Sequence, residues 1–364
     1  NDLFLFLNDL KVDKPIPELT LKSAKQDSWE NAYKSMREEL ANEFERHDKV
    51  LDSGKITEAN KQKYIQIRDQ KADYIDYAKS IAFLSKCLYQ YYEQKVIILI
   101  DEYDVPLENA YYEGFYEQMI KFIRSLFESA LKTNPYLEFS VITGCLRISK
   151  ESIFTGLNNL KIISILSTDY GEYYGFVEEV KDMLRYYGLE HKLDTIKEWY
   201  DGYCFGETEV FNPWSVINYV DGLISNEKAF PIAAWSNTSS NSIVKDLIER
   251  SSTEVQEEIE MLVNGGTIEK KVHEDITYDD IYKTEDNLWN FLFFTGYLKQ
   301  VGMRMENVDR YVTMAVPNKE LLYIYQNTIE TWFKEQIESK DLTDLYQGML
   351  SGDVETFERE LKKH

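Results

Sequence analysis

Lys95-Val96-Ile97-Ile98-Leu99-Ile100-Asp101-Glu102-Tyr103-Asp104 is the stretch from which the rest of the chain is read. Val96 to Ile100 are five consecutive apolar residues, four of them β-branched, with no polar member to form an outward face. That pattern predicts a strand buried on both sides in a mostly parallel sheet. The run then stops on two acids. In an open α/β sheet the side chains just past the carboxyl end of a central strand reach into the crevice where ligands bind, so Asp101 and Glu102 stand where chemistry is done. The first acid of such a pair suits Mg²⁺, and the second suits orientation or deprotonation of an attacking water. The alternative is a buried strand that runs into an acidic loop.

Composition limits what surrounds this strand. A chain of 364 residues exceeds the size at which a single core stops growing, so more than one domain is expected. Its 41 basic and 64 acidic residues leave a net charge of −23, which argues against a broad nucleic-acid footprint. Cys87, Cys145 and Cys204 are far apart and odd in number, which suits a reducing cytoplasm and offers neither a disulfide framework nor a CxxC knuckle. The four histidines are equally scattered. No segment is apolar for the length that a membrane span needs, and no signal peptide opens the chain, so the expected location is cytoplasmic.

In chain order, Pro15 to Leu21 is a short strand candidate fenced by prolines. Asp27 or Ser28 caps a helix from Trp29 to about Leu51, with Ala32, Tyr33, Met36, Leu40 and Phe44 on one stripe. Tyr64–Tyr92 repeats the spacing and delivers the chain to the central strand. After the acids, Val105-Pro106 is expected to end local regularity, 107–113 to be a tyrosine-rich loop or short turn, and 115–132 a helix stopped by Asn134-Pro135. Phe139 to Gly144 reads as a second strand, which sets Thr143 beside the end of the Asp101 strand and a hydroxyl near a γ-phosphate. Arg147 leaves the same strand end; it is either a planar grip on phosphate or one partner of a surface salt bridge. Lys161 to Leu166 is expected to be a third buried strand. Strand–helix–strand alternation from 95 to 166 is the βαβ signature of a parallel sheet.

Helices are expected from Phe176 to Gly188 and His191 to Tyr200. The aromatic, glycine-rich run Trp199 to Gly206 is either a platform for a base or peptide or a packed corner stapled by Trp199, Tyr203, Phe205 and Trp214. Trp235 to Asn241 reads as a polar loop that caps a helix over 242–250. A helix over 254–263, a strand over 267–272, an aromatic helix over 286–296 and a hairpin of Tyr297–Met305 with Tyr311–Val316 follow. This order suits a winged-helix-like module, here without the basic recognition helix of a DNA reader. From Lys319 to His364 the chain reads as helical.

The strand with its two acids is the Walker B pattern of P-loop NTPases. With Lys25-Gln26-Asp27-Ser28-Trp29, Thr143-Gly144, Leu146-Arg147-Ile148, Ile153-Phe154, Gly156 to Leu160, Glu198 to Tyr203, Asn212 to Val216 and Trp235 to Asn241, it resembles the predicted bacterial AAA-ATPase-like family over residues 20–320. The resemblance implies an α/β class, with a P-loop NTPase-like, mostly parallel sheet flanked by helices over 1–168. A helical lid over 169–262, a winged-helix-like module over 263–318 and a helical linker over 319–364 are expected to follow. It implies ATP and Mg²⁺ as ligands, with Asp101 on the metal, Glu102 on water, Thr143 sensing γ-phosphate and Arg147 as an arginine finger or sensor. In many relatives a PD-(D/E)XK nuclease domain follows in the same chain, so nucleic acid enters only indirectly. A second copy of the chain is a further partner to test.

Two departures qualify that expectation. No Gly-x-x-x-x-Gly-Lys-[Ser/Thr] occurs in the sequence, and Gly54-Lys55 is followed by Ile56. Half of the phosphate site is therefore missing. No Asp…Glu-x-Lys set follows a strand near the C-terminus either. The sequence, which opens on Asn1, is accordingly read as the middle of a longer protein, with weak ATP binding and no turnover expected of residues 1–364 alone. The competing reading is a nucleotide-independent scaffold in which the same acids are structural.

Overall fold

A computed structural model describes residues 14–145, 153, 160–237, 252–274, 284–338 and 351–363. The chain divides into two compact units, residues 1–162 with 273–287, and residues 163–272 with 288–364.

In the first unit three strands, β1 (Glu18–Thr20), β2 (Val96–Asp101) and β3 (Leu137–Ile142), form a parallel sheet in the order β1-β2-β3. The central strand is the one with no polar face, and Val96 to Ile100 are all buried. Leu19 lies opposite Ile100, Thr20 opposite Asp101 and Ile100 opposite Ile142, so the three strands end together. Helices pack around them. α1 (Trp29–Arg46) buries Ala32, Met36, Leu40 and Phe44, the expected stripe, but stops at Arg46 before a 3₁₀ turn at Asp48–Asp52. The single helix expected over Tyr64–Tyr92 is instead broken into α2 (Glu58–Arg68), α3 (Tyr74–Ala78) and α4 (Ser80–Tyr92). Gln70 takes a left-handed φ of 57°, and the Asp73 carboxylate accepts from Asp76 N–H to start a new helix. Periodicity survives such a break because all three pieces turn apolar residues to the core.

Two further expectations are corrected. Residues 105–112 are a helix, α5 (Val105–Tyr112), not a loop. Pro106 sits in its first turn, where the missing N–H costs nothing, so a residue read as a breaker is here a starter. Lys161–Leu166 is not a strand: it is irregular and pairs with none of the described strands. Ile162 is exposed, and Ile165 C=O accepts from Gly206 N–H at 2.7 Å, a turn contact in place of a ladder. The helix expected over 115–132 forms as α6 (Tyr116–Phe127), continued by a π turn at Glu128–Lys132, and leads into β3.

The second unit begins with α7 (Glu179–Tyr187), closed by Gly188 at φ 70°, and α8 (Leu193–Tyr200). Asp201-Gly202 leads into a small hairpin, β4 (Tyr203–Phe205) with β5 (Thr208–Val210), turned at Gly206. Asn212 caps α9 (Pro213–Ser225) by accepting from Ser215 N–H. α10 (Thr253–Val263) follows, then β6 (Ile268–Val272), α11 (Glu285–Phe294, in this unit from Leu288), β7 (Lys299–Glu306) and β8 (Asp309–Ala315). The last three strands form an antiparallel sheet in the order β6-β8-β7. α12 (Lys319–Glu338) and α13 (Val354–Lys363) complete the described chain. The helix expected over 242–250 lies outside the described residues.

Candidate functional site at the carboxyl end of the parallel sheet

The strand ends of the first unit are tied together by backbone. Thr143 N–H donates to Ile100 C=O at 2.9 Å, Tyr103 N–H to Thr143 C=O at 3.1 Å and Leu21 N–H to Asp101 C=O at 3.1 Å. This stitching brings two of the sequence-picked residues into contact, since Thr143 Oγ1 donates to Asp101 Oδ1. Asp101 is exposed at the mouth of the sheet.

Glu102 follows in the left-handed region, at φ 54°. A non-glycine residue held there costs on the order of 1–3 kcal/mol, and such outliers gather at functional sites. The turn directs Glu102 away from the ladder. Its Oε2 is buried and has no hydrogen-bond partner among the described residues.

Beyond the two acids the chain folds back tightly on Gly144. A Cβ added there would lie 2.5 Å from Tyr103 Cε1 and 2.7 Å from Asp104 Oδ1, so the Thr143–Cys145 turn seats face to face on Tyr103 and Asp104. Asp104 is buried and its C=O opens α5 by accepting from Leu107 and Glu108 N–H. The Cys145 thiol is pushed up to about 12, by desolvation first and then by the carboxylates of Asp104, Glu108, Glu102 and Asp101. Burial also raises the Glu108 carboxyl above its ordinary range, with Lys25 opposing the shift. The sheet end is therefore acid-rich, and four carboxylates surround one small turn.

Among the described residues no group of three or more His, Cys, Asp or Glu is arranged to hold a metal. The donors on offer are one exposed carboxylate and one hydroxyl, which fits Mg²⁺ bound through a single carboxylate with phosphates completing its shell. Arg147 lies outside the described residues. Sequence reasoning missed Asp104, Glu108 and Gly144. The glycine carried a readable signal, a small residue directly after a strand-end hydroxyl, whereas Asp104 and Glu108 fell in a stretch read as loop.

The aromatic corner belongs to the second unit. Tyr200 is fully buried and its hydroxyl donates to Ile232 C=O at 3.0 Å, while the rings of Trp235 and Tyr297 lie 5.0 Å apart. Phe205 stacks on Tyr174 at 4.5 Å. These contacts make the segment a packed corner. Trp214 is half-exposed on α9.

Among the described residues no helix is long and apolar enough to cross a membrane. A family model described as "Predicted AAA-ATPase" matches residues 9–154, the span that contains Asp101, Glu102, Thr143 and Arg147. The chain is 29% identical over 159 residues to an "Uncharacterized protein in vnfD 5'region" of Azotobacter chroococcum mcd 1. That alignment takes in 43% of this chain and 29% of the relative, so the chain spans under a third of that protein. No solved structure matches. Residues 9–154 are, then, similar to the predicted AAA-ATPase family.

Proposed function

We propose that the carboxyl end of the β1-β2-β3 sheet is the Mg²⁺–nucleotide end of an ATPase module. The observation that carries this reading is the hydrogen bond from Thr143 to Asp101 across two adjacent parallel strand ends. An isolated acid after a strand has many explanations. An exposed acid whose neighbour on the next strand is a hydroxyl suits a polar ligand that arrives from the crevice. Asp101 would hold Mg²⁺, which when bound neutralises phosphate charge. Thr143, already donating to Asp101, would turn its hydroxyl toward the terminal phosphate. Glu102, held off the ladder by its φ, would orient the attacking water and hold its proton. Arg147 is retained as a candidate contact to the developing phosphate charge.

The acids alone do not bind a triphosphate, because they repel it. The site therefore depends on a phosphate cradle, and the 364-residue sequence contains no Walker A loop. In a full-length protein with that cradle, Glu102→Gln is expected to retain Mg²⁺–ATP binding and to slow hydrolysis by ~10²–10⁴. Asp101→Ala is expected to weaken the Mg²⁺-dependent part of binding itself. Calorimetry and a phosphate-release assay check both. Parental hydrolysis by both variants would make the acids structural and favour the scaffold reading.

A further inference from the structure

The antiparallel sheet of the second unit overhangs its core. Val312 and Met314 on β8 are fully buried, whereas Val301, Met303 and Met305 on β7 are 51%, 54% and 57% exposed. Met303 pairs with Val312 in register, so it stands on the same face as that core residue. β7 is also an edge strand. Its first residue, Lys299, reaches Glu209 of the small hairpin at 3.8 Å, but from Val301 onward no backbone hydrogen bond leaves its outer edge among the described residues. A strand with an open ladder and apolar side chains is a template for another strand.

We propose that the occupant is a second copy of this chain, with β7 pairing antiparallel to β7 of the other copy about a two-fold axis through Met303. The sequence of the strand selects both the occupant and the register. About that axis Met303 meets Met303, Val301 meets Met305 and Gly302 meets Arg304, so the apolar residues oppose one another and no like charges do. Moving the axis by one residue toward the hairpin tip sets Arg304 against Arg304. Moving it the other way sets Lys299 against Met305. The other face of β7 is already committed, since Arg304 lies over the Tyr311 ring at 4.3 Å and pairs with Glu269 at 2.8 Å. The bulge between Gln300 and Gly302 ends the regular strand at Val301, so pairing is limited to Val301–Met305. One strand pair buries less than the ~1,200 Å² of a stable interface, so the association is weak and reversible.

The test uses the whole chain. Sedimentation equilibrium at high-micromolar protein is expected to show a monomer–dimer equilibrium, and Met303→Lys is expected to weaken it by roughly tenfold or more. Met303 is half-exposed, so that variant should keep the parental circular dichroism and thermal transition. Under mild oxidation Met303→Cys is expected to give a disulfide-linked dimer absent from the parent, because only the residue on the axis faces its own copy. Arg304→Cys is expected not to cross-link. A monomer at all concentrations, a dimer indifferent to Met303→Lys, or equal cross-linking at 303 and 304 would overturn the proposal.

Discussion

Asp101 and Glu320 are both acids set at the end of a regular element, and their surroundings differ in nearly every respect. Asp101, the last residue of β2, is exposed and accepts one side-chain hydrogen bond, from Thr143. Glu320, in the first turn of α12, is fully buried. Its Oε1 accepts from Ser215 Oγ–H and from Trp235 N–H, each at 2.9 Å, while Oε2 has no hydrogen-bond partner among the described residues. Donors from α9 and the Ala234–Asn237 turn thus converge on one oxygen, which makes Glu320 a tie between segments of its unit. An acid enclosed by donors is spent on the fold; an acid left open at a strand end is available to a ligand. The difference marks which carboxylate to look to for chemistry.

The largest effect should come from breaking the enclosed acid. Glu320→Ala leaves the Ser215 hydroxyl and the Trp235 N–H buried without an acceptor, so a loss of about 2–4 kcal/mol is expected in urea unfolding. Glu320→Gln keeps the accepting oxygen and should lose under ~1 kcal/mol. Equal losses would mean that packing, not hydrogen bonding, holds the junction.

Gly144→Ala comes next, at about 1–3 kcal/mol, because its methyl meets Tyr103 and Asp104 below van der Waals distance. Here the open region should prove as tightly built as the buried one, and the measurement is the thermal transition of the variant beside the parent.

The effect of pH is smaller and has a definite sign. Burial raises the Glu320 carboxyl above its ordinary 4.5, with its donors offsetting part of the shift. The folded state then binds the proton more tightly than the unfolded chain, so this contribution is full below pH 4.5 and is lost as pH rises through the folded value. Stability of the parent should fall relative to Glu320→Gln on going from pH 5 to pH 8. A parallel pair of stability curves would remove the titration from the account.

Asp101→Ala should cost under ~1 kcal/mol, since an exposed side chain that loses one partner is readily hydrated. A large loss would place Asp101 with Glu320 among the structural acids and would undercut the nucleotide reading.

The same contrast explains what the sequence could reveal. β2 was legible because a strand covered on both faces tolerates no polar residue, and the acids after it stood out against that run. Thr143 followed from the pairing of consecutive strands. The tie at Glu320 was not legible, because one glutamate in a charged helix looks like any other until Ser215 and Trp235 are brought to it from more than 80 positions away. Lys161–Leu166 misled for the opposite reason: β-branched residues report a preference for extended backbone, and whether a neighbour accepts the ladder is decided elsewhere. Pro106 misled because its meaning depends on its place in a turn.

The pairing of β1 with β2 also bears on the order in which the molecule assembles. Leu19 meets Ile100 across roughly 80 residues, whereas β7 meets β8 through a tight turn, and closing the longer loop costs more entropy before any contact repays it. The β7–β8 hairpin is therefore expected to close sooner. The sheet end that carries Asp101 and Thr143 depends on that longer closure, so the candidate site is expected to form later than the hairpin.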